Sequence, residues 1–288
     1  MSKIAFLGTG AMGLRMAQHL LNTNHELIVY NRTSEATSPL LSQGAKLALT
    51  PKDAAMNADF VISMVTNNEA SKAVWLDSKT GAINGMKKGS IAIECSTLNP
   101  DWIKELHYAV AETGAEFLDA PVVGSRPQAE AGELIFLAGG TETTLKKAQP
   151  ILMTMASAIH HIGDVSSGST MKLVVNTLFG IQVSALGEVL GVINKAGTFS
   201  KEKAIKVLAE LPTTSPAMKG IAGLIASENT KPLFPIHLVE KDFNYMLDIA
   251  NLLDADAPST KVTHEMFKKA IDSGYGMDNI SGISQLYN

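Results

Sequence analysis

Cysteine is nearly absent. One residue, Cys95, in a chain of 288 excludes a disulfide framework and any multi-cysteine metal or iron–sulfur centre. The histidines do not make up for it. His160 and His161 are adjacent at a strand end and point to opposite faces, and His19, His25, His107, His237 and His264 show no metal-ligand spacing. No metal is expected. Neither sign of charge dominates: 24 Lys and Arg stand against 28 Asp and Glu, a net charge of −4. There is no basic excess to draw nucleic acid or an anionic membrane surface as partner. No uninterrupted apolar run approaches the ~18 residues of a membrane span. Met1-Ser2-Lys3-Ile4 leads at once into a strand-like segment, without the apolar stretch of a signal peptide. Repeats, low-complexity segments, a G-x-S-x-G elbow and a P-loop are also missing. The remaining expectation is a soluble, cytoplasmic α/β protein of about two domains.

What is present is ordered. Lys3–Leu7, Leu27–Tyr30, Asp59–Val65, Ile91–Glu94, Glu116–Asp119 and Leu134–Ala138 read as strands, several of them nearly continuous in apolar residues, as in strands buried on both faces. Helix-like stretches such as Asp101–Glu112 and Thr143–Met153 lie between them. The alternation predicts a parallel sheet with helices on both faces. After Gly163 no convincing strand follows. Ser169–Lys195 reads as one long helix, apolar nearly all round and hence buried, as a spine or in a subunit interface. Lys201–Leu211, Ala217–Ser227, Val239–Leu253 and Pro258–Ser273 read as further helices. The expected organisation is an α/β dinucleotide-binding domain at 1–163 and an all-helical domain at 164–288.

Gly8-Thr9-Gly10-Ala11-Met12-Gly13 matches G-x-G-x-x-G and sits between strand and helix, the context that gives the motif meaning. Its glycines suit a tight turn, close approach of a pyrophosphate, and close helix–strand packing, with the helix N-terminus facing the phosphates. At the end of the second strand, where an acid would hold the ribose 2′-hydroxyl of NAD, the chain has Asn31-Arg32-Thr33 and no acid before Glu35. Arg32 is suited to a 2′-phosphate, so NADPH is the expected cofactor; the alternative is a solvated loop arginine.

On the long helix, Lys172 and Asn176 are spaced i, i+4 and share one face. A lysine there either serves proton transfer, its pKa lowered by burial, or snorkels to the surface from the first turn. Asp119-Ala120-Pro121-Val122-Val123-Gly124-Ser125-Arg126-Pro127 follows a strand. It is either a plain turn or a loop binding a small carboxylate through backbone N–H groups and a hydroxyl. Lys241, flanked by Glu240 and Asp242, reads by composition as a paired surface charge. Cys95 reads as a core thiol.

Taken together, four ordered segments resemble the β-hydroxyacid dehydrogenase family over essentially the whole chain. They are Phe6–Gly13, Asp119–Ser125 with Ala129–Leu134 following, Gly168–Asn176, and Lys241-Asp242. The resemblance implies a Rossmann domain and a helical domain joined by the long helix. It implies Lys172 as the lysine that gives a proton to the developing alkoxide, and Asn176 as the residue that holds substrate and lysine. Gly124 and Ser125 would lie in the carboxylate-binding loop, and Val65, Thr66, Thr97 and Lys241 would line the cofactor. One departure is Val123, where the family commonly has serine. The Asn31-Arg32-Thr33 segment and Ser125 are closer to the NADPH-dependent semialdehyde-reductase branch. The implied function is reduction of small aldehyde or keto acids such as glyoxylate or succinic semialdehyde, in a homodimer or homotetramer. The alternatives are a 3-hydroxyisobutyrate or other β-hydroxyacid dehydrogenase, an imine reductase, or a non-catalytic NADPH-binding scaffold. The last two would be expected to lack Lys172.

Overall fold

The computed structural model describes residues 1–287. The chain forms two compact units, Met1–Lys172 and the stretch from Leu173 onward.

The first unit opens with β1 (Lys3–Leu7), α1 (Gly13–Leu21) and β2 (Glu26–Tyr30), then α2 (Ser38–Leu41), β3 (Lys46–Leu47), α3 (Pro51–Ala55), β4 (Phe60–Ser63) and α4 (Asn68–Leu76). It continues with β5 (Ile91–Glu94), α5 (Pro100–Glu112), β6 (Glu116–Asp119), β7 (Val122–Val123), α6 (Arg126–Ala131), β8 (Leu134–Gly139), α7 (Glu142–Leu152) and β9 (Ala156–Gly163). The nine strands form one sheet in the order β3-β2-β1-β4-β5-β6-β8-β7, with β9 beside β8. β1 through β6 are mutually parallel. Strand periodicity divides the core in two. Ile4 and Phe6 of β1 face α1 residues Met16 and Leu20, while Ala5 and Leu7 face the opposite layer with Trp75, Trp102 and Leu106. Successive side chains point to opposite faces, so a strand apolar at every position buries both. Each such large side chain contributes about 1.5–3 kcal/mol on burial.

The parallel core agrees with the sequence, but the far edge does not. β8 runs antiparallel to β6 and β7, and β9 is an added strand. β3 and β7 have two residues each, too few for any periodicity to register. β9 alternates only weakly, with Ser157, His160 and His161 exposed or half-buried.

The second unit contains most of α8 (Ser167–Ala196), then α9 (Lys201–Glu210), α10 (Pro216–Ala226), α11 (Ile236–Leu252), α12 (Pro258–Ala270) and a closing 3₁₀ turn at Ile280–Tyr287. Small residues on α8 let its neighbours approach. A Cβ on Gly180 would strike the Phe243 ring, and one on Gly191 would strike Tyr287. One expectation about α8 is corrected. It is 30 residues long and apolar enough, by length and composition alone, to cross a membrane; interruptions such as Asn176, Thr177 and Ser184 hide this from a count of uninterrupted apolar residues. Within the single chain one side of it is open, with Val174, Leu178, Val189 and Val192 exposed, which leaves the interface alternative in place.

The two compact units divide inside α8, after Lys172. The reason is local to the first unit. The opening turn of α8 is fastened to the sheet: Gly168 lies so close to β8 that a Cβ would meet the Leu137 carbonyl oxygen, and would lie 2.9 Å from Asp119 O.

Backbone oxygens cannot move aside as a flexible side chain can. Gly168→Ala should therefore destabilise by about 1–3 kcal/mol through overpacking. Gly220→Ala, in α10 where a Cβ meets nothing within 4 Å, should stabilise by roughly 0.5–1 kcal/mol. Urea midpoints of the two variants test the contrast; equal shifts would show that the α8–β8 approach is not tight.

Candidate cofactor loops and catalytic helix

The glycine loop of the first unit leaves β1 at Gly8, with φ +99° and no room for a Cβ against Met64 O. Gly13 seats α1 on the Gly8 carbonyl, which a Cβ would strike. At Gly10, by contrast, a Cβ would meet nothing within 4 Å. That open side is the one a pyrophosphate needs. Ala11 and Met12 complete the turn. Met12 caps α1 with no side-chain hydrogen bond, and the first turn of α1 carries no acid, so the dipole end of the helix is not neutralised. The Thr9 hydroxyl is shielded from solvent yet bonds no protein group. A buried polar atom without a partner is uncommon, and this one belongs to the glycine loop itself. The loop fits a dinucleotide.

Asn31 is committed to the protein. Its Oδ1 accepts the Thr9 N–H at 3.0 Å and its Nδ2 donates to Thr33 O at 2.8 Å. It ties the end of β2 to the glycine loop. Arg32 and Thr33 are exposed, and Arg32 forms no ion pair among the described residues. The charge nearest the end of β2 is thus the exposed Arg32, with the exposed Glu35 three residues on.

The loops after β4 and β5 are joined by a group that the sequence reading missed, the Glu94 carboxylate. It is fully buried and accepts from Ser71 Oγ (2.7 Å), Trp75 Nε1 (2.8 Å), Ser96 N (2.9 Å) and Ser96 Oγ (2.5 Å). Trp102 Nε1 donates in turn to Ser71 Oγ at 3.0 Å, and Val65 N donates to Ser96 Oγ at 2.7 Å. The network fixes Val65, leaves the adjacent Thr66 exposed, and fixes the residue preceding Thr97. Burial pushes the Glu94 carboxyl above its ordinary range, with the four donors opposing it. Cys95 is buried and its thiol is pushed well up by desolvation, which leaves it inert.

At the end of β6, the Asp119 carboxylate accepts the backbone N–H groups of Ser166 (2.8 Å) and Ser169 (2.7 Å). It thereby satisfies two of the donors that a helix N-terminus leaves without partners. Lys172 follows one turn later, 8% exposed. It is buried rather than snorkelling, and a lysine is rarely so deep without a role.

In the second unit, Asn176 is 6% exposed and donates from Nδ2 to Asp242 Oδ2 at 2.6 Å. The other carboxylate oxygen of Asp242 lies 2.8 Å from Lys241 Nζ, which also stands 4.7 Å over the Tyr245 ring. Lys241 is thus a paired cation, as its neighbours suggested, but at 16% side-chain exposure it is not a surface one. Asp242 orients Asn176 so that its amide N–H₂ faces the acid and its carbonyl oxygen is the group left to accept. Asp242 was legible only as part of the Lys241-Asp242 pair.

In the loop from β7 to α6, Val123 is half-buried and Gly124 adopts φ +120°. Ser125 N donates to Gln128 Oε1 at 2.9 Å, and the Ser125 hydroxyl accepts the Gln128 N–H. The serine is engaged in a reciprocal cap of α6. The described residues hold no cluster of three or more metal-ligating side chains.

Residues 3–163 match the family model described as the NAD-binding domain of 6-phosphogluconate dehydrogenase. Residues 166–287 match that of the NAD-binding region of NADP-dependent 3-hydroxyisobutyrate dehydrogenase. The chain is 32% identical to 3-sulfolactaldehyde reductase of Escherichia coli, over 98% of this chain and 95% of that protein. It is 31% identical to glyoxylate/succinic semialdehyde reductase 2, chloroplastic, of Arabidopsis thaliana, over 97% of this chain and 78% of that one. A solved structure of Mycobacterium tuberculosis 3-hydroxyisobutyrate dehydrogenase with L-serine superposes with a TM-score of 0.90 at 26% identity, covering 99% of both chains.

The Glu94 network yields a test through pH. A carboxyl whose folded pKa is raised holds its proton more tightly when folded. Its contribution to stability is full below the ordinary value of 4.5 and declines as pH rises toward the raised value. Glu94→Gln removes this titration. Relative to wild type the variant should gain stability as pH climbs above 4.5, by at most about 1.4 kcal/mol per pH unit, until the raised value is passed. Denaturant midpoints at several pH values check it; parallel curves would refute it.

Proposed function

Because the chain belongs to the β-hydroxyacid dehydrogenase family, and is an oxidoreductase acting on hydroxyl or aldehyde groups with a nicotinamide cofactor, we propose that it is an NADPH-dependent reductase of small aldehyde or keto acids such as glyoxylate or succinic semialdehyde. The observation that carries this reading is the pair on α8: a buried Lys172 and, one turn on, an Asn176 whose amide is oriented by Asp242.

When bound, the nicotinamide cofactor would supply hydride chemistry at the substrate carbonyl. Lys172 supplies the proton to the carbonyl oxygen as its charge develops, and recovers it from solvent afterwards. The Asn176 carbonyl oxygen can accept from the lysine ammonium or from the substrate hydroxyl and so fix their orientation, a contribution of positioning. In the dehydrogenase direction the same lysine takes the hydroxyl proton. Gly8–Gly13, Arg32, Val65, Thr66, Thr97 and Lys241 are the residues that would hold the cofactor. NADPH rather than NADH is favoured by the unpaired Arg32 and by the absence of an acid at the end of β2.

A homo-oligomer is favoured by α8 itself. Val174, Leu178, Val189 and Val192 are exposed, and at 100° per residue they fall on one side of the helix. A second copy of the chain is the partner proposed for that stripe.

Lys172→Ala should keep the fold and NADPH binding and lose ~10²–10⁴-fold in kcat for aldehyde reduction. Retention of more than about a tenth of the wild-type rate would remove Lys172 from the role of general acid. Arg32→Ala should raise the KM for NADPH roughly tenfold to a hundredfold, the worth of one charged contact of ~1.5–3 kcal/mol, and leave NADH nearly unaffected. Equal losses with the two cofactors would refute the NADPH assignment.

A further inference from the structure

The loop that the family resemblance assigns to the substrate has few donors of its own. Val123 offers no polar side-chain atom. Ser125 is engaged at both its N–H and its hydroxyl oxygen in capping α6. Gly124, at φ +120°, packs against Gln128 and Leu134, each 3.0 Å from where its Cβ would be. An anionic substrate needs more than this.

The next residue supplies it. Arg126 opens α6 and is half-buried. Its Nε is shielded from solvent and hydrogen-bonded to no protein group. Among the described residues no carboxylate lies within ion-pair distance of it; Glu130, one turn along the same helix, is directed instead to Arg15 at 3.8 Å. A guanidinium is always charged and presents a planar fork matched to an oxyanion. Sealing one of its donors from water without an acceptor is costly, and an incoming oxyanion relieves that cost.

Resting on the reductase reading above, we propose that Arg126 is the specificity-determining residue for the substrate's charged end. Its guanidinium binds an oxyanionic head group, carboxylate or sulfonate, in place of the serine that Val123 replaces. The substrate class is then a short aldehyde bearing such a head group, and an uncharged aldehyde of the same length is a poor substrate for lack of this contact. Chemistry at the carbonyl is left to Lys172.

The test compares wild type, Arg126→Gln and Arg126→Lys with succinic semialdehyde and with butanal, which lacks the carboxylate. Arg126→Gln should raise the KM for succinic semialdehyde about 30-fold or more with kcat retained, while butanal kcat/KM and the KM for NADPH stay unchanged. Arg126→Lys should fall between, keeping the charge but losing the fork. Equal losses for both aldehydes, or a change in the KM for NADPH instead, would overturn the assignment. A second measurement does not depend on turnover. Propionate and ethanesulfonate, which share a chain and differ in head group, are titrated calorimetrically into NADP-saturated protein. Wild type should bind at least one and Arg126→Gln neither, and the tighter ligand identifies the head group. Undiminished binding by Arg126→Gln would overturn the proposal. Should wild type reduce neither aldehyde, the reductase reading fails, and this titration still decides whether Arg126 holds an oxyanion.

Discussion

The Asp119 carboxylate closes β6 and receives the first turn of α8 through the N–H groups of Ser166 and Ser169. Much of the first unit's end depends on this junction. A buried carboxylate and the unpaired donors of a helix N-terminus each carry a desolvation cost, and each satisfies the other. Burial still leaves the Asp119 carboxyl raised above its ordinary range, with the N–H groups pulling the other way. The arrangement fixes where α8 starts, and a helix with a fixed origin places Lys172 one turn later. Gly168 makes the junction possible by letting the helix backbone come against β8. The division of the compact units inside α8 follows from the same contact.

Acids recur in this supporting role. Glu94 gathers Ser71, Trp75 and Ser96, and through Ser96 the Val65 amide, so that the ends of β4 and β5 are held to one another. Asp242 gathers Asn176 and Lys241. Glu94 takes four donors, while Asp242 takes the Asn176 amide and an ion pair with Lys241, its Oδ1 accepting no hydrogen bond. Such groups are costly when partly satisfied and rigid when fully satisfied. None of the three is assigned to the chemistry. Each holds backbone amides or side chains within its own unit in a fixed arrangement.

The division of labour explains why two residues of the resemblance carry less than their type suggests. Asn31 and Ser125 look like ligand donors and are instead employed internally, one tying β2 to the glycine loop and the other capping α6. The charged residues beside them, Arg32 and Arg126, pair with no acid among the described residues. Each short loop thus pairs a polar residue engaged within the protein with an arginine that makes no ion pair among the described residues.

The parallel core, the glycine turn, the long helix and the i, i+4 pair of Lys172 and Asn176 were determined by the sequence alone. Each is written in a local period or a contiguous motif: two residues for a strand, 3.6 for a helix, six for the loop. The resemblance placed the family correctly because its motifs are of that contiguous kind. Tertiary structure alone decided the antiparallel edge at β7 and β8, the added β9, the exposed stripe on α8 and the partners of the buried acids. Asp119 meets Ser169 across 50 residues and Asn176 meets Asp242 across 66. A residue type states only that a carboxylate must find donors if it is buried; which donors reach it depends on how distant segments pack, and no local pattern encodes that.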